Sequence, residues 1–262
     1  MAPVSEKRVL NNGEGQPIAS GEKSEMKRYY ITRVLSAIVT VLLFVTLTSA
    51  LAFAAKDRYE VVIDPAHGGS DPGVALSRSV NEKEVTLAIA KMIKENLDKT
   101  KNIRVILTRS TDTDLSIRDR KKVVDKAKTD LFVSIHINAG FGNKSVGYEI
   151  YYSSPRKGVS SDKGESKEIV DDMIESRFTN DSIFFAQLTQ RNIEKVFPRE
   201  GRGIRNAPLF VLDGLSVPAV EIELGFATHI KSRKKLNDEE VQKSIADGLS
   251  KSIKEFFTSS GE

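Results

Sequence analysis

The chain carries three histidines, and two of them stand where short apolar runs end. Val61-Val62-Ile63 leads into Asp64-Pro65-Ala66-His67-Gly68-Gly69, and Ser134-Ile135-His136-Ile137-Asn138 closes a second run. Pro65 has no N–H for a sheet ladder, and the paired glycines release the backbone into unusual conformations, so His67 is held on a loop just past a strand. Two neutral imidazoles and a carboxylate suit Zn²⁺, with water in the fourth position of a catalytic site. Their separation in sequence excludes a helical H-E-x-x-H pair, so His67 and His136 must meet through the fold, at adjacent strand ends.

Two glutamates are candidates to work beside them. Glu82 falls in the first turn of a helix opened by Asn81, where the helix dipole favours a carboxylate on its own account. Glu223 lies in the apolar strand Ala219–Leu224, where an ionised, unpaired carboxylate costs several kcal/mol. Alternation puts Glu221 and Glu223 on one face of that strand, and a solvated face would account for both. The position of Glu223 nearer the carboxyl end, where His67 and His136 also end, favours a role in moving a proton. Asp64 reads as a turn-former bonded within its own loop.

The elements that must position these residues alternate in type. After the His67 loop, Asn81 and Glu84 form a variant capping box, and Val85, Ile89, Met92, Ile93 and Leu97 recur at helical spacing. Ile103–Thr108 reads as a strand, and Ser116 caps a helix with Ile117, Val123, Val124 and Ala127 inward. Leu131–Asn138 and Tyr148–Tyr152 follow as strands. Pro155–Glu165 reads as a loop, followed by two amphipathic helices, Ser166–Phe178 and Asp181–Phe197. Leu209–Leu212 is expected as a short strand, and a closing helix follows with Val241, Ile245, Leu249, Ile253 and Phe256 on one face. The pattern predicts a single α/β domain, with a mainly parallel twisted sheet and helices on both faces.

The N-terminus reads differently. Residues 1–25 are polar and aperiodic, either disordered or upstream of a true start at Met26. Residues 26–54 have a basic stretch to Arg33, then an apolar run, then Ala52-Phe53-Ala54, the three parts of a secretory signal peptide. The uncharged run Val34–Ala55 is also long enough for an uncleaved N-terminal anchor, so any membrane contact runs through residues 34–55. Either way the domain at 55–262 is expected to be exported, to the periplasm or cell envelope. Residues 1–54 hold six Lys/Arg and four Asp/Glu, so the formal charge of +4 falls to +2 for the remainder. A body that near to neutral gives no electrostatic case for nucleic acid. With no cysteine, the chain has no disulfides, and a metal site must use His and carboxylates.

Taken together, Ile63–Gly69, Asn81-Glu82-Lys83, Ser134–Asn138 and Val217-Pro218-Ala219-Val220 through Glu223-Leu224-Gly225-Phe226 resemble the zinc-dependent N-acetylmuramoyl-L-alanine amidases, in order and rough spacing, from about Tyr59 to Phe257. The resemblance implies hydrolysis of the amide joining N-acetylmuramic acid to L-alanine in peptidoglycan, for cell-wall remodelling or daughter-cell separation. It implies His67, Glu82 and His136 as zinc ligands and Glu223 as catalytic acid/base. Residues 160–181 are similar in place to an inserted helix that, in a subset of the family, covers the zinc cleft until an activator protein displaces it. Glu168 and Glu175 are the acidic residues that such a helix would offer to the metal, and the alternative is a peripheral helix packing through Ile169, Val170 and Met173. The sequence departs from the family at Ala66, commonly Gly, at Ile137, commonly smaller, and at His229, often Asn and read as a surface residue. Two rivals fit the same residues: a zinc carboxypeptidase acting within the stem peptide, and an inactive peptidoglycan-binding module of the same fold.

Overall fold

The structure, a computed structural model, describes residues 20–52, 58–154 and 165–259. Residues 1–19, the 53–54 end of the Ala-Phe-Ala motif, most of the Pro155–Glu165 loop and the side chain of Glu168 lie outside the described residues. The chain divides into two units, Met1–Ala55 and Lys56–Glu262. The first unit contains helix α1 (Ser20–Ala52), whose Val34, Leu35, Ile38 and Val39 side chains are exposed. Among the described residues no helix is long and apolar enough to cross a membrane.

The second unit runs β1 (Tyr59–Pro65), α2 (Glu82–Asp98), β2 (Ile103–Leu107), α3 (Ile117–Ala127), β3 (Leu131–Asn138), β4 (Tyr148–Tyr152), α4 (Glu165–Ile193), β5 (Gly201–Asn206), β6 (Ala219–Phe226), α5 (Ile230–Leu236) and α6 (Glu239–Ser259). The six strands form one sheet in the order β2-β1-β3-β6-β4-β5. Strands β2, β1, β3 and β6 are parallel; β4 runs antiparallel to β6, and β5 parallel to β4.

Side-chain alternation divides the sheet into two unlike faces. Val61, Ile63, Val133, Ile135, Val220, Ile222 and Leu224 point to one side, where they join α2, α4 and α6 in the main core. Val62, Phe132 and Ala219 point to the other, against Val124 of α3 and Val211 and Leu212. Two residues further along each strand, the second face turns polar: Asp64 follows Val62, Ser134 and His136 follow Phe132, and Glu221 and Glu223 follow Ala219.

Several expectations are corrected here. The two helices expected at 166–178 and 181–197 are one continuous α4. The hydroxyls of Thr179 and Ser182 bond the carbonyls of Glu175 and Phe178 one turn back, so nothing at the junction breaks the helix. Leu209–Leu212 is a turn, closed by a Leu212 N–H to Leu209 carbonyl bond at 3.0 Å, and the strand before β6 is Gly201–Asn206. His229 is half-buried and caps α5, accepting from Ser232 N–H at 3.3 Å. Ile117 is exposed rather than inward.

Asp64 is not a turn-former either. Its buried carboxylate pairs with Arg120 at 2.5 Å and accepts from Thr108 Oγ1 at 2.5 Å and Ser134 Oγ at 2.9 Å, tying β1 to α3, β3 and the end of β2. Arg120 also donates to the carbonyls of Pro65 (2.9 Å) and His67 (2.8 Å), and Arg109 to those of Pro65 (3.0 Å) and Ala66 (2.8 Å). These are the carbonyls that the sheet ladder no longer pairs as β1 ends. Removing one partner of a buried ion pair leaves the other charge stranded, at a cost of roughly 3–5 kcal/mol. Arg120→Ala should therefore lower the unfolding free energy by about that amount in urea titration; a loss below about 1 kcal/mol would place the pair among surface-like interactions.

Candidate metal centre

The loop after β1 is built around one strained residue. His67 has φ +58°, in the left-handed region, and Gly68 and Gly69 follow at +131° and +61°. Such a conformation at a non-glycine residue costs on the order of 1–3 kcal/mol and persists only where its surroundings fix it. The two arginines fix it from the carbonyl side. On the other side, Gly68 and Asp71 exchange backbone hydrogen bonds at 2.9 and 3.2 Å, while Asp112 and Asp114 accept from the N–H groups of Gly69 and Ser70 at 2.7 and 2.8 Å.

This loop, the end of β3 and the start of α2 bring three side chains together. His67 Nε2 lies 3.1 Å from Glu82 Oε2, and His136 Nδ1 lies 3.3 Å from Glu82 Oε1. One ligand atom from each residue falls within 4.8 Å of the others. Glu82 is 1% exposed, and its oxygens also accept from the N–H groups of Ile137 (2.9 Å) and Val74 (3.1 Å). Burial works against its charge, but the hydrogen bonds from His136 and His67 prevail and hold the carboxyl at about 2. His67 Nδ1 meets Asp71 Oδ2 at 2.7 Å. A proton on Nδ1 for Asp71 leaves the Nε2 lone pair directed at the cluster, the arrangement of a carboxylate-oriented metal ligand.

The donor set fits a dication such as Zn²⁺: two imidazole nitrogens and a carboxylate, with no thiolate. A side chain cannot be added beside it at Gly73, where a Cβ would approach Glu82 Oε2 to 2.6 Å and His67 Cδ2 to 2.7 Å.

Register sets the remaining carboxylates. His136 on β3 pairs with Glu223 on β6, and Ser134 with Glu221, so both glutamates share the face of His136. That face is not solvated: Glu221 is buried, and Glu223 Oε2 is buried with no hydrogen-bond partner. Burial, then the neighbouring Glu221, Glu82 and Glu149 carboxylates, push Glu223 up to about 8 against the pull of His136. Glu221 Oε2 lies 3.7 Å from His136 Nε2, and burial raises it as well. A cleft of about 300 Å³ opens here, lined by His67, Asp71, His136 and Glu221, with exposed Ile117 and Phe210 at its rim.

His67, His136 and Glu223 stood out by their places at strand ends, and Glu82 as a ligand through the family resemblance; the fold brings His67, Glu82 and His136 together and pairs Glu223 with His136. Asp71, Arg109 and Arg120 had not stood out in the sequence. Asp71 was readable as the residue four after His67, and Arg120 as lying one helical turn before the inward Val124. Glu175, by contrast, lines a second cleft with Phe178 and residues 212–216, whose lining includes neither histidine. The α4 side chains Ile169, Val170, Met173 and Ile174 are 46–68% exposed, so they do not pack the helix against the domain as the alternative reading required.

Compared with known proteins, the chain matches the N-acetylmuramoyl-L-alanine amidase family over residues 61–255. It is similar to the N-acetylmuramoyl-L-alanine amidase AmiC of Escherichia coli O6:H1, 27% identical over 226 residues, with 78% of this chain and 54% of AmiC covered. The chain thus spans about half the length of that relative. Among solved structures, it is similar to the catalytic domain of CwlV, an N-acetylmuramoyl-L-alanine amidase from Bacillus (Paenibacillus) polymyxa var. colistinus, at 31% identity and TM-score 0.62, covering 76% of this chain and 98% of that one. It is also similar to the CwlD amidase from Clostridioides difficile, solved in complex with the GerS lipoprotein, at 26% identity and TM-score 0.61, covering 77% and 100%.

The charge state of the cluster predicts how metal binding depends on pH. Glu82 chiefly raises His67; burial opposes charge on His136, but Glu82 and Glu221 carry it up to about 9. Metal-free His136 therefore holds a proton at neutral pH, and a dication must displace it. Zinc affinity should rise as pH goes from 6 towards 9, with about one proton or more released per ion at pH 7 in calorimetry across buffers of different ionisation enthalpy. Affinity independent of pH over that range would contradict the assignment.

Proposed function

Because the chain belongs to the N-acetylmuramoyl-L-alanine amidase family, we propose that it hydrolyses the amide between N-acetylmuramic acid and the L-alanine of the peptidoglycan stem peptide, using zinc held by His67, Glu82 and His136. The observation that carries this reading is a juxtaposition: a two-imidazole, one-carboxylate cage lies beside the buried, unpartnered carboxylate oxygen of Glu223. Zinc held by His67, Glu82 and His136 would supply Lewis acidity for the scissile carbonyl and for a water.

The protein's own residues do the rest. Glu223 takes the proton from the attacking water as the new C–O bond forms, and returns it to the amide nitrogen as the C–N bond breaks. The products are the muramic acid carboxylate and a stem peptide with a free L-alanine amine. Asp71 keeps His67 in the tautomer that directs Nε2 inward, and Arg120 holds its carbonyl. Burial raises the Glu223 carboxyl, and a dication in the adjacent cage would favour its ionised form, the form that accepts the proton.

Peptidoglycan lies outside the cytoplasmic membrane, so this reading includes export through the basic and apolar stretch of residues 26–54, to the periplasm or cell envelope, and a part in wall remodelling or daughter-cell separation. It also includes an activator protein for the 160–181 segment, supported by the exposed apolar stripe of Ile169, Val170, Met173 and Ile174.

The zinc-loaded protein should release stem peptides beginning with a free L-alanine amine and leave glycan chains unbroken, as read by mass spectrometry of digested peptidoglycan. Shortened peptides still attached to muramic acid would instead identify a carboxypeptidase. Glu223→Gln should keep its zinc and lose roughly 10²–10⁴-fold in turnover; a near-normal rate would remove Glu223 from the proton transfer.

A further inference from the structure

The polar face of the sheet continues past the metal cluster. His136 on β3 pairs with Glu223 on β6, and Glu223 with Glu149 on β4. The adjacent row runs from Glu221 to Tyr151 on β4 and Arg205 on β5. Glu149 is 4% exposed and accepts from Arg202 Nε at 2.6 Å and Tyr151 OH at 2.5 Å, with Arg205 Nη2 at 3.6 Å. Two guanidinium groups against one carboxylate leave a surplus positive charge on a face whose neighbouring residues are acidic.

That surplus belongs to Arg205. Arg202 is committed, with its Nε on Glu149 and its guanidinium 5.1 Å above the Phe226 ring. The Arg205 side chain is 50% exposed, and its Nη2 bonds the Arg202 carbonyl only at 3.5 Å. A guanidinium held at one edge and open at the other is suited to taking a carboxylate through paired hydrogen bonds.

Its place along the face fixes which carboxylate. Strands lie about 4.8 Å apart, so β4, where both guanidinium groups meet Glu149, is about 10 Å from β3. An extended peptide advances about 3.3–3.6 Å per residue, and one leaving the His136 end across the face reaches Arg205 at about its third residue. Resting on the amidase reading above, we propose that Arg205, steadied by Glu149 and Arg202, is the subsite for a stem-peptide carboxylate within about three residues of the scissile amide. It selects acidic stem peptides over amidated ones.

The test uses two synthetic tripeptides that begin with L-alanine, one with free carboxylates at the second and third residues and one with both as carboxamides. Calorimetry on the full, zinc-loaded chain should show the acid twin binding about tenfold or more tighter. Arg205→Gln should bring that ratio close to one, chiefly by weakening the acid twin, and Arg205→Lys should restore part of it. The Gln variant leaves Glu149 its bonds from Arg202 and Tyr151, and a thermal melt checks that it folds. The muramoyl forms of both peptides should show the same ratio in kcat/KM. Equal wild-type affinities within about twofold, or a Gln variant that weakens both twins alike, would overturn the subsite and leave Arg205 as a charge that protects an edge strand. Discrimination in binding without cleavage of either muramoyl peptide would support the subsite while rejecting the amidase reading.

Discussion

A buried carboxylate governs the architecture of this domain. Glu82 sits almost wholly out of water, at the start of α2, and an ionised group there is tolerated only when its oxygens are matched. Four partners match them: the N–H groups of Val74 and Ile137, and the rings of His67 and His136. The partners come from two stretches of chain, His67 and Val74 from the loop after β1 and His136 and Ile137 from the end of β3, so the carboxylate fixes the positions of that loop and of β3 relative to the first turn of α2. The helix dipole adds to this at the same end. What began as a favourable residue for a helix start is thereby also the group around which a dication can be held.

The sheet supplies the second constraint. One face is apolar along its whole length, as required to bury α2, α4 and α6, whereas the other changes from apolar to polar partway along β1, β3 and β6. The change falls where the covering layer of α3 and residues 209–212 gives way to the cleft. Asp64 and Arg120 lie at that boundary and let the strands carry charge inward without stranding it. Chemistry is thus confined to the carboxyl ends of parallel strands, where open α/β sheets place their ligands.

Much of this was legible in the sequence because the signals were local. Val61–Ile63 and Leu131–Asn138 are apolar enough to be buried strands, and Asn81 with Glu84 marks the start of α2, where Glu84 accepts from the Asn81 N–H at 2.8 Å. His67 and Glu223 each break a pattern, which is what drew attention to them. Less legible were features set by long-range pairing. Asp64 resembles any turn residue until Arg120, fifty-six positions away, is brought against it. The face of Glu221 and Glu223 reads as solvated until β4 and β3 close on either side of β6. The reversed direction of β4 and β5 leaves no mark in either strand. At the junction of the two expected helices, Thr179 and Ser182 are of types that open helices but also serve inside one when their hydroxyls bond back one turn, so local chemistry permits both outcomes.

The central claim is that His67, Glu82 and His136 form one metal cage with Glu223 beside it. The most direct measurement is a crystal of the zinc-loaded domain with diffraction recorded on both sides of the zinc absorption edge. A single strong anomalous peak bonded to His67 Nε2, a Glu82 oxygen and His136 Nδ1, at about 2.0–2.2 Å from each, is the expected result. A peak bonded elsewhere, or one lacking either histidine, would contradict it.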